Sequence, residues 1–174
     1  MVPNSESVNP EYFTLSAWIK TTTGDHFWRR IFDKAYDKSF ALSVAGDWNQ
    51  NRWYGQTCLE IGQNHLLVAK NRVDDGQWHQ VVATFDGMKE LVYVDGQIQG
   101  ESHWKQPGKA GATDFNLVIG CNRSNLDQKE DDLGVSFRGF IDEPMMWNRA
   151  LSAKEVAFLF QRQNGSPAGQ LTAN

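Results

Sequence analysis

The sequence predicts an all-β fold, a two-sheet antiparallel β-sandwich that is followed by one short C-terminal helix. Short segments alternate apolar and polar residues with a period of two, and turn residues separate them. Two Asp-Gly pairs join consecutive segments between residues 77 and 100, which is typical of tight hairpins. A helical pattern with a capping signature follows residue 150.

The predicted strands alternate in the way expected of half-buried sheets. In the first of them, Phe13, Leu15, Ala17 and Ile19 alternate with Thr14, Ser16 and Trp18. The predicted strands are 13–19, 40–44, 77–85, 90–94, 97–99, 115–120 and 137–147.

The three central strands are expected to form an antiparallel meander. Asp86-Gly87 and Asp95-Gly96 supply residues that adopt a positive φ, which tight hairpin turns require.

The predicted helix begins at Ser152. Glu155 stands three residues later and completes a capping box, and the apolar face continues to about Gln163. We therefore assign residues 1–164 to one domain and interpret the polar segment 165–174 as a flexible tail.

Composition excludes several classes of protein. A chain of 174 residues suits one domain, and a net charge of −4 lacks the basic footprint of nucleic-acid or anionic-membrane binding. No apolar run approaches the roughly 20 residues that span a bilayer, and the N-terminus lacks the pattern of a signal peptide. The chain is rich in aromatic residues, with 7 Trp, 10 Phe and 4 Tyr, which suit a core or a binding platform.

The two cysteines, Cys58 and Cys121, lie in strand-like segments. They could pair if their strands are neighbours, but two buried thiols are the favoured interpretation, because free cysteine is among the most buried residue types.

Five segments, taken together in their order and spacing, resemble the laminin-G-like, concanavalin A-like domains. They are 13–20, 78–87, 93–96, 139–143 and 147–152. The resemblance covers about residues 9–161 and implies a jelly-roll sandwich with one concave sheet. Such domains usually carry an earlier strand, whereas only Val2-Pro3-Asn4-Ser5 precedes the opening segment here, so we expect that this first strand is either absent or cut off.

No catalytic motif is found in the sequence. Relatives of this fold that cleave β-glucans place three carboxylates on one strand, whereas the run Glu130-Asp131-Asp132 lacks the third at the required spacing. The sequence therefore predicts a non-catalytic domain. A glycoside hydrolase or lyase with an unrecognised site is the less favoured alternative.

The resemblance also implies one structural calcium ion at the edge of the sandwich. Asp142, in the segment Gly139-Phe140-Ile141-Asp142-Glu143, is the expected ligand. The alternative is that Asp142 accepts a backbone hydrogen bond at a strand bend.

Clustered aromatic and polar residues predict a sugar-binding surface, because rings stack on pyranose C–H groups while polar neighbours bind hydroxyls. The candidate ligand-binding residues are Trp48, Asn49, Arg52, Trp53, Tyr54, His103, Trp104 and Arg123. Packing of Trp48 and Trp53 onto the sandwich is the competing interpretation. Trp28 is compatible with either role, whereas Trp18, Trp78 and Trp147 are expected to pack on the sheets.

The sequence thus predicts a non-catalytic, lectin-like carbohydrate-binding module within an exported glycan-processing or adhesion protein. Its expected partners are a glycan or glycoprotein and other domains of a larger protein. Its expected location is extracellular, periplasmic or at the cell surface. A protein-interaction or adhesion module without a sugar site is the alternative.

Overall fold

The computed structural model describes residues 1–22, 28–47, 52–122 and 136–163. The strands are β1 Phe13–Thr22, β2 Arg29–Asp33, β3 Phe40–Val44, β4 Gln56–Ile61, β5 His65–Arg72, β6 Asp75–Phe85, β7 Lys89–Val94, β8 Gln97–His103, β9 Val118–Ile119 and β10 Phe140–Trp147. Helix α1 is Ala153–Gln163. In these ranges no helix has the length and apolar character needed to cross a membrane.

The strands form two antiparallel five-stranded sheets that enclose the core. Sheet A has the order β10-β1-β6-β7-β8, and sheet B has the order β5-β4-β3-β2-β9. Both sheets contribute to the core: the Phe13 ring of sheet A lies 4.7 Å from the Phe40 ring of sheet B, centroid to centroid. This architecture confirms the predicted β-sandwich with one C-terminal helix.

Strand β1 shows how the alternating pattern builds the sandwich. Phe13, Leu15, Ala17 and Ile19 have no exposed surface and lie in the core between the sheets. Trp18, between the last two of them, points to the outer face of sheet A, because successive side chains of a strand alternate between faces.

The predicted meander is confirmed, since β6, β7 and β8 are consecutive neighbours in sheet A. The turn between β7 and β8 is Asp95-Gly96, with φ of +51° and +73°, as a two-residue hairpin turn requires. In the β6–β7 turn, Asp86 Oδ1 accepts hydrogen bonds from the amides of Met88 and Lys89 at 2.9 and 2.7 Å.

Helix α1 covers part of the outer face of sheet A. The capping box forms as predicted: Glu155 Oε2 accepts from the Ser152 amide at 2.7 Å, and the Glu155 amide donates to Ser152 Oγ at 3.3 Å. Trp18 stacks on Phe160 of the helix with 5.8 Å between ring centroids. A small cluster lies between sheet and helix, formed by Val82, Tyr93, Leu151 and Val156 with Leu91 and Trp147 packed against it.

Several predicted boundaries differ from those observed. Strands β2, β4 and β5 were not predicted, β9 is shorter than the expected 115–120, and β10 begins at Phe140 rather than at residue 137. The segment before β1 contains a short 3-10 turn, Glu6–Val8, and an isolated bridge between Val2 and Leu117. The predicted tail, 165–174, lies outside the described residues.

Both cysteines are free. Cys58 is fully buried, whereas Cys121 is half-buried and its Sγ accepts a hydrogen bond from Ser136 Oγ at 3.5 Å. The favoured interpretation of two buried thiols is therefore accurate for Cys58, and burial raises the pKa of that thiol.

Candidate functional site

The outer face of sheet B is identified by the strand register. On β3, Phe40, Leu42 and Val44 lie in the core, so Ala41 and Ser43 between them point outward.

The register then brings three charged side chains to this outer face. Arg30 of β2 pairs with Ser43, while Asp33 of β2 and Glu60 of β4 both pair with Ala41 from opposite sides. Cross-strand partners share a face of the sheet, so Arg30 lies one row from both carboxylates. Residues 30 and 60 are distant in the chain, and β3 is the element that holds them together.

Arg30, Asp33 and Glu60 form a buried ion network. Arg30 donates a short hydrogen bond to Glu60 Oε1, and its Nε lies 3.8 Å from Asp33 Oδ2. Ser43 Oγ donates to the same Glu60 oxygen at 3.3 Å. The side chains of Arg30, Asp33 and Glu60 are 6%, 0% and 12% exposed. Burial raises the pKa of Glu60 although Arg30 acts in the opposite direction.

Aromatic rings cover the guanidinium of this network. The guanidinium carbon of Arg30 lies 4.5 Å from the ring centroid of Tyr36 and 5.9 Å from that of Trp28, both within cation–π range. Trp28 in turn meets Trp53 edge to face, with 6.5 Å between centroids and an interplanar angle of 77°. Two rings thus cover the guanidinium of Arg30, and a third, Trp53, packs against Trp28.

The turn that carries Tyr36 is anchored to the same network. Asp33 Oδ1 accepts a hydrogen bond from the amide of Ala35 at 2.7 Å, and Ala35 adopts a positive φ of +61°. The Gly62 amide donates to the Ser39 carbonyl at 2.9 Å, which ties the β4–β5 turn to the β2–β3 turn. The two turns are therefore held in fixed relation to each other.

Between these turns lies an open cleft of about 480 Å³. Its lining consists of Trp28, Tyr36, Asp37, Glu60, His65 and Leu66, together with the β4–β5 turn at 62–63. The cleft therefore combines aromatic faces with carboxylate acceptors, and its volume falls in the range of small-ligand sites.

The predicted aromatic loop lies partly beside this cleft. Trp53 is half-buried and contacts Trp28, and the Arg52 guanidinium carbon lies 5.0 Å from the Trp53 ring centroid. Tyr54 is half-buried under Arg72, with 4.7 Å between guanidinium carbon and ring centroid. Of the other predicted ligand residues, Trp48, Asn49 and Arg123 lie outside the described residues.

The remaining two predicted ligand residues lie at the end of β8. Trp104 is half-buried against the core: its ring lies 4.6 Å from Phe85 and 3.7 Å from His65, and its Nε1 donates to Glu90 at 2.7 Å. His103 is exposed, and its Nε2 lies 2.9 Å from a Glu101 oxygen.

A second cleft connects Trp104 to the first. It has a volume of about 250 Å³, and both clefts include His65 and the β4–β5 turn at 62–63. His65 covers one face of the Trp104 ring, so a ligand in this second cleft would contact only the uncovered surface of the Trp104 ring.

Asp142, the predicted calcium ligand, lies on the edge strand β10. Its Oδ1 accepts a hydrogen bond from the Glu143 amide at 2.8 Å, and Glu143 has a φ of +47°. Within the described parts of the chain, no group of three or more His, Cys, Asp or Glu side chains is placed to hold a metal. Calcium takes 6–8 oxygen ligands, and Asp142 supplies a small part of such a set.

The residues at the centre of this cleft were not predicted from the sequence. Arg30, Tyr36 and Glu60 were not among the candidates, and Trp28 was compatible with either role. The available signal was an apolar pair, Ile31-Phe32, flanked by charged residues. That pattern does not alternate, because the charges of β2 are buried by rings and partner charges rather than exposed.

Comparisons with known proteins agree with the fold. Domain 4 of AbnA, a GH43 extracellular arabinanase from Geobacillus stearothermophilus solved in complex with arabinotriose, is 22% identical with a TM-score of 0.63, covering 88% of this chain and 68% of that one. A Bacteroides ovatus protein proposed to bind carbohydrate is 17% identical with a TM-score of 0.70, covering 90% of this chain and 42% of that one.

In sequence, the chain is 28% identical to sialidase 85-1.1 of Trypanosoma cruzi over 90 residues, which is 50% of this chain and 12% of the sialidase. The chain thus spans a small part of that relative and less than half of the Bacteroides protein. The laminin G-like family model, described as the concanavalin A-like lectin/glucanases superfamily, matches residues 1–157. This chain therefore belongs to the concanavalin A-like lectin/glucanases superfamily.

Proposed function

We propose that this chain is a non-catalytic carbohydrate-binding module and that the cleft on the outer face of sheet B is its ligand site. The observation that carries the proposal is the set of rings, Trp28 and Tyr36, beside the carboxylates Asp37 and Glu60 in one cleft. Rings supply flat apolar surface for the C–H groups of a sugar, and carboxylates accept hydrogen bonds from its hydroxyls.

The structurally similar proteins support the carbohydrate-binding part of this proposal. One is a domain of an arabinanase that was solved with a trisaccharide, and another has been proposed to bind carbohydrate. By the same reasoning, the chain belongs to an exported or cell-surface protein that processes or adheres to glycans. Its proposed partners are a glycan or glycoprotein and further domains of that protein.

The first experiment is a glycan array, followed by calorimetric titration of the best ligand into wild type and variants. Tyr36→Ala is expected to weaken binding by about tenfold or more, because truncation of an aromatic anchor costs roughly 1–3 kcal/mol. Tyr12→Ala is the matched control, since Tyr12 is 37% exposed and Tyr36 38%, and Tyr12 does not line the cleft. Equal losses in both variants would contradict the assigned site.

A second variant separates ligand contact from packing in the predicted loop. Trp53 does not line the cleft, so Trp53→Ala is expected to weaken binding less than Tyr36→Ala does, while the melting temperature stays nearly unchanged. The physical reason is that Trp28 loses its edge contact, while both rings lie at the outer surface rather than in the core. If Trp53→Ala mainly unfolds the domain, the ring has a packing role.

A turnover screen tests the non-catalytic part of the proposal. Each glycan bound on the array is incubated with the protein, and new reducing ends are measured. No release is expected, because Glu60 is committed to an ion pair with Arg30 and the sequence lacks the three-carboxylate motif. Release of reducing ends at a rate that Glu60→Gln abolishes would instead identify a glycosidase.

A protein-interaction module is the second candidate function, and one observation favours it. On the outer face of sheet A, Phe140 is 66% exposed and Trp78 is 38% exposed, with 6.2 Å between their ring centroids. Trp78 was expected to pack on the sheet, but α1 leaves much of its surface accessible. This function takes first place if the array shows no glycan binding.

A further inference from the structure

The charge of the cleft constrains the chemistry of its ligand. Of the described lining residues, Asp37 and Glu60 carry carboxylates, whereas His65 is the residue that could carry a positive charge. The His65 ring is stacked on Trp104, and its Nδ1 lies 3.8 Å from the buried Glu90. Any positive charge on His65 is therefore already opposed by an interior carboxylate.

The guanidinium of Arg30 is not available to a ligand, and Arg52, which lies on the Trp53 ring beside the cleft, is not among the described lining residues. The Arg30 guanidinium donates to Glu60, lies close to Asp33, and is covered by the rings of Trp28 and Tyr36. Its side chain is 6% exposed. An anionic ligand in the cleft would meet the carboxylates Asp37 and Glu60 without reaching the cation beneath the rings.

Burial makes this arrangement more selective. Like charges repel more strongly in a partly desolvated cleft than in water, because the effective dielectric constant is lower. Burial already raises the pKa of Glu60, so a second negative charge next to it adds to an existing penalty. A sugar hydroxyl, in contrast, donates a hydrogen bond to a carboxylate and brings no negative charge into the cleft.

We infer that the cleft is specific for uncharged sugars and discriminates against uronic acids, sialic acids and sulfated sugars. This inference rests on the proposed function and goes beyond it, since a carbohydrate module could bind sugars of either kind. The carboxylates Asp37 and Glu60 act as hydroxyl acceptors and at the same time exclude anionic residues.

The test compares glycans whose carboxylates are free or methyl-esterified, so that the members of a pair differ in charge and by one methyl group per carboxylate. The array carries two kinds of matched pair: oligogalacturonides with their full methyl esters, and sialylated glycans with the methyl esters of the same glycans. The pair with the tightest-binding member is then titrated calorimetrically at low and high salt. The neutral member is expected to bind about tenfold more tightly or better, and the difference is expected to shrink at high salt because ions screen the repulsion.

Two variants link the discrimination to the cleft. Asp37→Asn removes one negative charge from the lining of the cleft. It is expected to narrow the difference in affinity between the neutral and the anionic member of the pair. Asp75→Asn is the charge-matched control, because Asp75 is 58% exposed at the start of β6 in sheet A, and it is expected to leave the difference unchanged. Equal narrowing by both variants would mean that net charge, not the cleft, discriminates, which would overturn the inference.

The remaining outcomes separate this inference from the proposed function. If an anionic member binds as tightly as its neutral partner or more tightly, the inference is wrong, while the carbohydrate-binding function stands. If neither member of any pair binds, the proposed function fails and the inference falls with it.

Discussion

Replacing Arg30 with methionine should expose how much the ion network on sheet B contributes to the fold. Arg30 lies between Glu60 and Asp33, and its side chain is 6% exposed. Methionine keeps most of the length of the side chain, so the rings of Trp28 and Tyr36 retain an apolar partner. The main change is the loss of one positive charge beside two carboxylates that stay buried.

Removal of one partner from a buried ion pair typically costs about 3–5 kcal/mol, because the remaining charge is left without compensation. A domain of this size loses about 2–4 °C of melting temperature per kcal/mol, which gives an expected decrease of about 6–20 °C. Most domains have a stability of about 5–15 kcal/mol, so the variant should fold but with a much reduced margin.

The assay is equilibrium urea denaturation of wild type, Arg30→Met, and the double variant Arg30→Met/Glu60→Leu. The double variant is expected to recover part of the loss, because it also removes the buried charge of Glu60, whereas Asp33 stays buried and keeps the hydrogen bond from the Ala35 amide. Arg149→Met is the control: Arg149 donates to both carboxylate oxygens of Glu155, but the pair is 54% and 43% exposed and should contribute far less.

The pH dependence provides an independent check. Burial raises the folded-state pKa of Glu60 above its unfolded-state pKa, so between these two values the native state binds more protons than the unfolded state. The free energy of unfolding therefore falls as the pH rises from the unfolded-state pKa to the folded-state pKa. Without Arg30 the pKa of Glu60 rises further, and the deficit of Arg30→Met should shrink as the pH is lowered from 7 towards 5. A loss below about 1 kcal/mol, or a deficit that grows on acidification, would refute the reasoning.

Three further predictions concern other parts of the fold. If Asp142 contributes to a calcium site, millimolar calcium should raise the melting temperature and Asp142→Asn should reduce the gain; an unchanged melting curve would remove the site. Hydrogen bonding to Asp95 raises the pKa of His79, so its stabilising effect should be complete below about pH 6.5 and be lost as pH rises through the folded pKa, a slope that His79→Gln should flatten in urea titrations. Ser152→Ala should destabilise the domain by about 1 kcal/mol in thermal unfolding, whereas an unchanged transition would show that the capping box of α1 is dispensable.

The parts of the fold that could be predicted are those specified by local sequence. The turns Asp86-Gly87 and Asp95-Gly96 need particular backbone angles, and the capping box of Ser152 and Glu155 needs a fixed spacing of three residues. Each signal lies within a few positions of the chain. The helix and the first two strands of the meander were therefore predicted with nearly the observed bounds, whereas β8 extends to His103, beyond the predicted 97–99.

The centre of the candidate site could not be predicted because it depends on strand register. Arg30 and Glu60 meet only because β3 lies between their strands, and no local pattern encodes that pairing. Strand β2 also escaped prediction, since all five of its residues are buried and the expected alternation is absent. Trp53 was identified from composition, but its neighbour Trp28 emerged from the tertiary contact between their rings.

The cleft has two parts, a floor formed by the buried ion network of Arg30, Asp33 and Glu60 and a rim formed by the rings of Trp28 and Tyr36. These two parts can evolve separately. Loss of Arg30 from the floor leaves two buried carboxylates without their shared cation, so substitutions at Arg30 are acceptable mainly in combination with changes at Asp33 or Glu60. Trp28 and Tyr36 are held at the rim, where one ring can be exchanged for another at a much smaller cost. Libraries that vary Trp28 and Tyr36 while Arg30, Asp33 and Glu60 stay constant would therefore test whether these rings set the ligand preference that we propose for the cleft.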